Sequence, residues 1–116
     1  MYADRAVLDV VRAYRLPLLA WSSQARGYFA RTEARQINGG PDPYDTEDNR
    51  ARRERCRALA EQLGSRPETV ALAWTLQQPQ VWPSIGARTT DQIDLSLQAR
   101  GLPLTQDQAH WLRSGR

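Results

Sequence analysis

Only two stretches of this chain are short, apolar and continuous enough to be strands: Leu16-Pro17-Leu18-Leu19-Ala20-Trp21, and Gln80-Val81-Trp82-Pro83-Ser84-Ile85. From residue 3 to 14 the apolar Ala6, Val7, Val10, Val11 and Tyr14 recur at intervals of three and four, which is one face of an amphipathic helix. The first strand run follows without alternation, as a strand buried on both faces reads. Helix followed by buried strand is the rhythm of α/β folds, whose strands pair parallel across helical crossovers. Two strands are too few for a covered parallel sheet. The pattern therefore predicts a piece of a larger wheel of strands, with both sheet edges bare.

Residues 22–45 form a long connection punctuated by Gly27, Gly39, Gly40, Pro41 and Pro43. Connections of this length inside compact domains are more often functional than idle, and partial order is expected around Tyr28 and Phe29. A helix begins near Thr46 and runs to about residue 63, with Cys56, Leu59, Ala60 and Leu63 on one stripe and Gly64 as its stop. Arg50, Arg53, Glu54, Arg57 and Glu61 fall on the opposite, solvated face, where Arg50 with Glu54 and Arg57 with Glu61 have i,i+4 spacing. Ser65-Arg66-Pro67-Glu68 has capping-box spacing and launches a largely buried helix over residues 69–78, ended by Pro79. Pro83 confines the second strand to an edge or places proline at its start. Thr89-Thr90-Asp91-Gln92 and Thr105-Gln106-Asp107-Gln108 repeat the capping spacing and open two final helices, the first through Ile93 and Leu97, the second over Ala109 and Leu112.

With 41% hydrophobic and 25% charged residues, the 116 positions read as one globular domain. The longest apolar runs fall far short of the roughly 20 residues of a membrane span, and no secretory leader pattern opens the chain. Cys56 is the sole cysteine, so no internal disulfide forms and a reducing, cytoplasmic setting is expected. All 16 basic residues are arginine, which excludes any mechanism that needs a lysine of this chain. The octet from Arg50 to Arg57 carries +4 by itself against +3 for the whole chain, so the basic signal is one segment rather than a field.

Chemistry concentrates at the two strand ends. After the second, Ser84-Ile85-Gly86-Ala87-Arg88 meets the helix opened by Thr89. The first amides of a helix lack internal partners and carry the positive end of its dipole, so this junction suits an anion, and Arg88 adds a permanent planar cation. Phosphate is the ligand this chemistry favours. After the first strand, Trp21-Ser22-Ser23-Gln24-Ala25-Arg26-Gly27 offers small residues that admit a ligand to the backbone. Plainer readings exist for several of these residues: capping explains Thr89 and Gln92, Trp21 can be core, and Gly27 and Ser22 can serve a turn.

Trp21-Ser22-Ser23-Gln24-Ala25-Arg26-Gly27, then "LAEQLGSRPETVALAWTLQQP", then Gly86-Ala87-Arg88-Thr89 with Gln92 resemble the C-terminal part of an aldo-keto reductase, from about residue 8 to residue 112. The resemblance implies an α/β fold that is the C-terminal portion of a TIM (β/α)8 barrel, with two parallel strands, its seventh and eighth, and flanking helices; residues 1–116 would be one partial oxidoreductase domain. It implies NADP(H) as cofactor. The aromatic matching Trp21 stacks on the nicotinamide, the segment matching Ser22, Gln24 and Arg26 wraps the pyrophosphate, and the positions of Gly86 and Arg88 hold the adenosine phosphate end. Gln92 and Ser96 face the adenine ribose and base, and many members carry asparagine where Ser96 stands. A 2′-phosphate gripped by Arg88 favours NADP over NAD.

The family's reaction is hydride transfer to a carbonyl carbon, with a tyrosine as general acid assisted by lysine, aspartate and histidine. No residue here matches those four: lysine is absent, and His110 lies in the final helix. No catalytic and no metal-binding residue is assigned. A small carbonyl substrate is expected only if the barrel is completed. Two alternatives stand beside this reading, a small basic nucleic-acid-binding module built on the arginine octet, and a noncatalytic interaction module that associates through its exposed sheet edges.

Overall fold

The computed structural model describes residues 5–33 and 35–116. The expected first turn at residues 3–4 lies outside them. The elements in order are α1 (Arg5–Ala13), β1 (Leu18–Ala20), a 3-10 segment (Ala25–Ala30), α2 (Glu47–Leu63), α3 (Pro67–Leu76), β2 (Val81–Pro83), α4 (Thr90–Gln98), a short 3-10 turn (Ala99–Gly101) and α5 (Gln106–Ser114). Strands β1 and β2 pair parallel, with Leu18 opposite Val81, Leu19 opposite Trp82 and Ala20 opposite Pro83. Pro83 is tolerated because it closes its strand. Main-chain bonds from the Leu18 amide to the Gln80 carbonyl (2.7 Å) and from the Ser84 amide to the Ala20 carbonyl (3.0 Å) fix the two ends of the pair.

The core sits in the helices and not on the sheet. Cys56, Leu59 and Ala60 of α2, Val70, Ala71, Leu72 and Ala73 of α3, and Leu112 of α5 form one buried cluster with Ala99 and Leu104. Trp74 closes it by donating its indole N–H to the Ala109 carbonyl (2.9 Å), and the Gln77 amide nitrogen reaches the Leu104 carbonyl (3.1 Å). The α2 stripe expected from the sequence is therefore the one that packs, with Leu63 half-buried at its end.

The sheet departs from expectation. Strand β1 reads as buried on both faces, yet each strand alternates half-buried, exposed, half-buried, and no strand residue is fully buried. Leu19 and Trp82, partners in register, are 73% and 64% exposed. The physical reason is that helices cover one face only. On α1 the expected apolar stripe is likewise bare: Val11 is buried, while Val7, Val10 and Tyr14 face outward. Ile93 and Leu97, four apart on α4, are also exposed. Within the described residues, apolar side chains on α1, on α4 and on the sheet thus stand uncovered.

Among the three expected capping boxes only that of α5 forms in full, with the Thr105 hydroxyl accepting the Gln108 amide (3.1 Å) and the Gln108 side chain accepting the Thr105 amide (2.9 Å). At α4, Thr89 accepts the Gln92 amide (3.3 Å), but the Gln92 side chain reaches one residue further, to the Arg88 amide (2.8 Å). At α3 no side-chain cap exists: Pro67 takes the first helical position, which makes Arg66 rather than Ser65 the boundary residue. Among the described residues, no helix is long and apolar enough to cross a membrane.

Candidate functional site

The parallel register carries both strand ends to the same edge of the sheet, and the loops that follow touch. The Ser23 hydroxyl donates to the Ser84 carbonyl across that edge at 2.9 Å. Trp21, at the exit of β1, is 74% exposed and so is not core in this chain. Beyond it the backbone is unusual. Ser22 (φ 51°), Ala25 (φ 48°), Arg26 (φ 53°) and Gly27 (φ 77°) all adopt left-handed conformations, three of them without being glycine. Turn bonds from the Ala25 amide to the Ser22 carbonyl (2.7 Å) and from the Gly27 amide to the Gln24 carbonyl (2.9 Å) hold the path. Strain of this kind survives where surrounding structure over-determines it, and it clusters at ligand clamps and active sites.

At the second strand end, residues 84–89 run exposed into α4. Gly86 has ordinary backbone, and a Cβ placed there would meet nothing within 4 Å, so neither conformation nor packing in this chain requires glycine. The amides of Thr90 and Asp91 open α4 without intrahelical partners. Arg88 is exposed, and among the described residues its guanidinium has no ion-pair partner. Asp91 in the same first turn complements the helix dipole and competes with any anion that docks there.

Of the sequence-predicted site residues, the structure gathers Trp21, Ser22, Gln24 and Arg26 on one loop and Gly86, Arg88 and Gln92 at the neighbouring junction. Ser96 stands apart from them in character. It is buried in α4, and its hydroxyl donates to the Gln92 carbonyl (2.9 Å), one turn back along the helix. Gln92 spends its side-chain oxygen on the Arg88 amide. An apolar cavity of about 390 Å3, lined among others by Val11, Leu18, Cys56 and Trp74, has Trp21 and Ser23 at its lip. Arg88 and Gln92 do not reach it, so this cavity is not the strand-end cleft. Cys56 lies in its wall, where burial pushes the thiol up to about 12 and disfavours the thiolate. Among the described residues, no three His, Cys, Asp or Glu side chains are placed to hold a metal.

Sequence reasoning missed the role of the arginine octet. Arg50 grips Asp45 with two bonds (3.0 and 2.9 Å), Arg52 reaches Asn49 (3.0 Å) and Asp48 (3.4 Å), and Arg55 caps α5 through the Leu112 carbonyl (3.1 Å). Arg57 pairs with Glu54 (2.6 Å) and donates to the Arg31 carbonyl (2.5 Å), while Arg53 is buried over the ring of Tyr28. The expected Arg50 with Glu54 and Arg57 with Glu61 pairs do not form, because Asp45 and the loop backbone offer closer acceptors. Most of the octet's guanidiniums thus have partners within the chain.

The family model described as "Aldo/keto reductase family" matches residues 1–114. The chain belongs to this family. Among similar proteins are the versiconal hemiacetal acetate reductase of Aspergillus parasiticus, 30% identical over 105 residues, covering 82% of this chain and 31% of that protein. The norsolorinic acid reductase stcV of Emericella nidulans is 27% identical over 112 residues, 92% of this chain and 28% of its own length. The uncharacterized oxidoreductase YrpG of Bacillus subtilis is 31% identical over 110 residues, 90% of this chain and 33% of its own. The chain thus spans about a third of the length of the curated relatives it matches. For an aldo/keto reductase chain, two parallel strands with flanking helices are compatible with part of a barrel, and the relatives' names make oxidoreductase chemistry the family context.

Proposed function

We infer that this aldo/keto reductase chain contributes the NADP(H)-binding part of a carbonyl-reducing barrel, as its last two strands and following helices, and that it does not turn over substrate unaided. The observation that carries the reading is the hydrogen bond from Ser23 to the Ser84 carbonyl, which joins the two strand-end loops into one surface. The residues fit a dinucleotide. Trp21 presents an exposed ring for stacking, Ser22, Gln24 and Arg26 line a strained loop with backbone suited to a pyrophosphate, and Arg88 offers an unpaired guanidinium beside the free amides of α4. Gly86 leaves the backbone open to close approach. Gln92 and Ser96 would face the adenine ribose and base; in the free chain the Gln92 side chain accepts from the Arg88 amide, and the Ser96 hydroxyl donates to the Gln92 carbonyl.

When bound, the reduced nicotinamide would supply the hydride for a carbonyl carbon. This chain supplies orientation and charge. It holds no lysine, and its one histidine, His110, lies exposed on α5, so the proton-donating machinery of a complete reductase is assigned to residues outside it. The buried, unpaired Cys56 suits a reducing cytoplasm. A carbonyl substrate belongs to the completed barrel.

The reading is tested by titrating the chain with NADPH and with NADH while following tryptophan emission, and by assaying NADPH oxidation with an aldehyde panel. Quenching by NADPH without turnover is the expected result. In a barrel completed with the missing strands, Arg88→Leu should abolish the preference for the 2′-phosphorylated cofactor. An unchanged preference refutes the role of Arg88, and turnover by the chain alone refutes the division of labour.

The bare sheet supports a second reading, association through its edges and its exposed face. Sedimentation distinguishes it: a concentration-independent monomer removes it.

A further inference from the structure

The connection after β1 is fastened by a buried network that the strand-end reading leaves unused. Tyr28 is wholly buried (0% exposed), and two guanidiniums lie against its ring, that of Arg53 at 4.7 Å from the centroid and that of Arg31 at 5.9 Å. Arg53 is 7% exposed, and its Nε and Nη1 have no hydrogen-bond acceptor. Among the described residues the carboxylate in ion-pair range is Glu54 at 3.9 Å, an exposed group bonded more closely by Arg57 at 2.6 Å. A buried cation with orphaned donors persists only when something offsets its lost hydration, and the π face of Tyr28 fills that part. The Tyr28 hydroxyl donates to Asp45 (2.8 Å), itself held by Arg50. Donation toward a carboxylate enriches the ring in electron density and tightens its hold on the cation above it.

The same ring sits at the end of the strained loop. Ser22, Ala25 and Arg26 hold left-handed backbone against their side chains' preference, and Tyr28 follows directly after Gly27. One side of this stretch is tied to β2 through Ser23 and the Ser84 carbonyl; the other is tied to α2 through Tyr28. Arg57, one helical turn beyond Arg53, extends that hold to the Arg31 carbonyl.

We propose that Arg53, seated on the Tyr28 ring, is a positioning residue that fixes the left-handed backbone at Ser22, Ala25, Arg26 and Gly27 and thereby sets the affinity of this loop for a pyrophosphate-bearing dinucleotide. The second half rests on the reading of that loop as a pyrophosphate wrap. Arg53 touches no ligand; it acts through Tyr28.

The experiment compares the chain with its Arg53→Met and Arg53→Lys variants, using amide hydrogen exchange of peptides over residues 22–30 and over α3, and NADPH titration by tryptophan quenching. Methionine keeps the packing and removes the cation, so exchange over residues 22–30 should accelerate about tenfold with α3 unchanged, and the NADPH dissociation constant should rise about tenfold. Lysine, which restores a cation over the ring, should bring both back to within about threefold of the parent. Unchanged exchange over residues 22–30 in Arg53→Met, or failure of lysine to rescue it, overturns the proposal. Equal NADPH affinity in parent and methionine variant, with a loosened loop, overturns its second half and leaves the cofactor reading standing. Absence of binding in all three forms refutes that reading and the second half together, while the exchange data decide the first. Should methionine at 53 unfold the chain, Asp45→Asn probes the same network from the hydroxyl end of Tyr28, and exchange over residues 22–30 that stays at the parent's rate counts against the proposal.

Discussion

With its ring enclosed and its hydroxyl donating to Asp45, Tyr28 resists ionisation: burial first, then the hydrogen bond with Asp45, pushes its pKa up to about 12 from 10.0, against the opposing pull of Arg53. In the unfolded chain the phenol ionises near 10. Between about pH 10 and 12 unfolding therefore releases a proton, and the stability that Tyr28 contributes is fully present below pH 10 and lost as pH rises toward 12. Denaturant titrations across that window should show the parent losing stability more steeply than Tyr28→Phe; parallel slopes would contradict the assignment. On the acid side Arg50, and then Tyr28, hold the Asp45 carboxyl below the usual range. Its contribution is present above the unfolded carboxylate pKa and falls away as pH drops through the depressed one. Residue by residue, the exposure of Arg88 is legible because it follows a strand into a helix mouth; that of Trp21 is not, because an aromatic at the end of an apolar run reads as core as readily as platform. Arg53 is illegible from α2 alone: helical periodicity puts it on the outer face, and only the 3-10 segment folded back from β1 turns that face inward.

At the scale of elements, local chemistry reads well where one rule acts and fails where two compete. Thr105 and Gln108 form both bonds of the capping box, so Thr105→Ala should cost about 1 kcal/mol of stability. Ser65 has the same spacing to Glu68, yet the preference of proline for the first helical position wins and sets the boundary at Arg66. What Ser65 does supply is its main-chain amide, bonded to the Ala60 carbonyl (2.9 Å) past Gly64, whose left-handed φ of 59° closes α2. That bond survives truncation of the side chain. Ser65→Ala should therefore change stability by less than about 0.5 kcal/mol, and a loss matching that of Thr105→Ala in thermal melts would show that the serine hydroxyl caps after all. The strands were legible as strands from their apolar runs, and their parallel pairing from the helices between them. Their environment was not, because an unbroken apolar run records a burial that the described residues of this chain do not provide.

For the molecule as a whole, the register of Leu19 with Trp82 is the sharpest constraint. Two large apolar side chains paired at the centre of a parallel sheet belong, by composition, to a covered face, yet here both stand mostly in solvent. Val7 and Val10 of α1, Tyr14 just after it, and Ile93 and Leu97 of α4 are exposed as well. The consequence is that the energetic weight of Leu19 and Trp82 depends on what surrounds them. In the chain alone, Leu19→Thr with Trp82→Thr removes contacts that scarcely exist, and stability by chemical denaturation should move by less than about 0.5 kcal/mol per site. If, as proposed, the chain is an arc of a barrel, both positions are interior in the whole, and there the same pair should cost about 2–5 kcal/mol at each site, as large-to-small changes in a core do. Sedimentation of the isolated double variant separates the remaining case: if the parent self-associates through this face, the variant should shift toward monomer at equal concentration. A double variant that destabilises the isolated monomer as severely as the completed barrel would mean that the face is already covered within this chain, and that the barrel arc is the wrong frame for it.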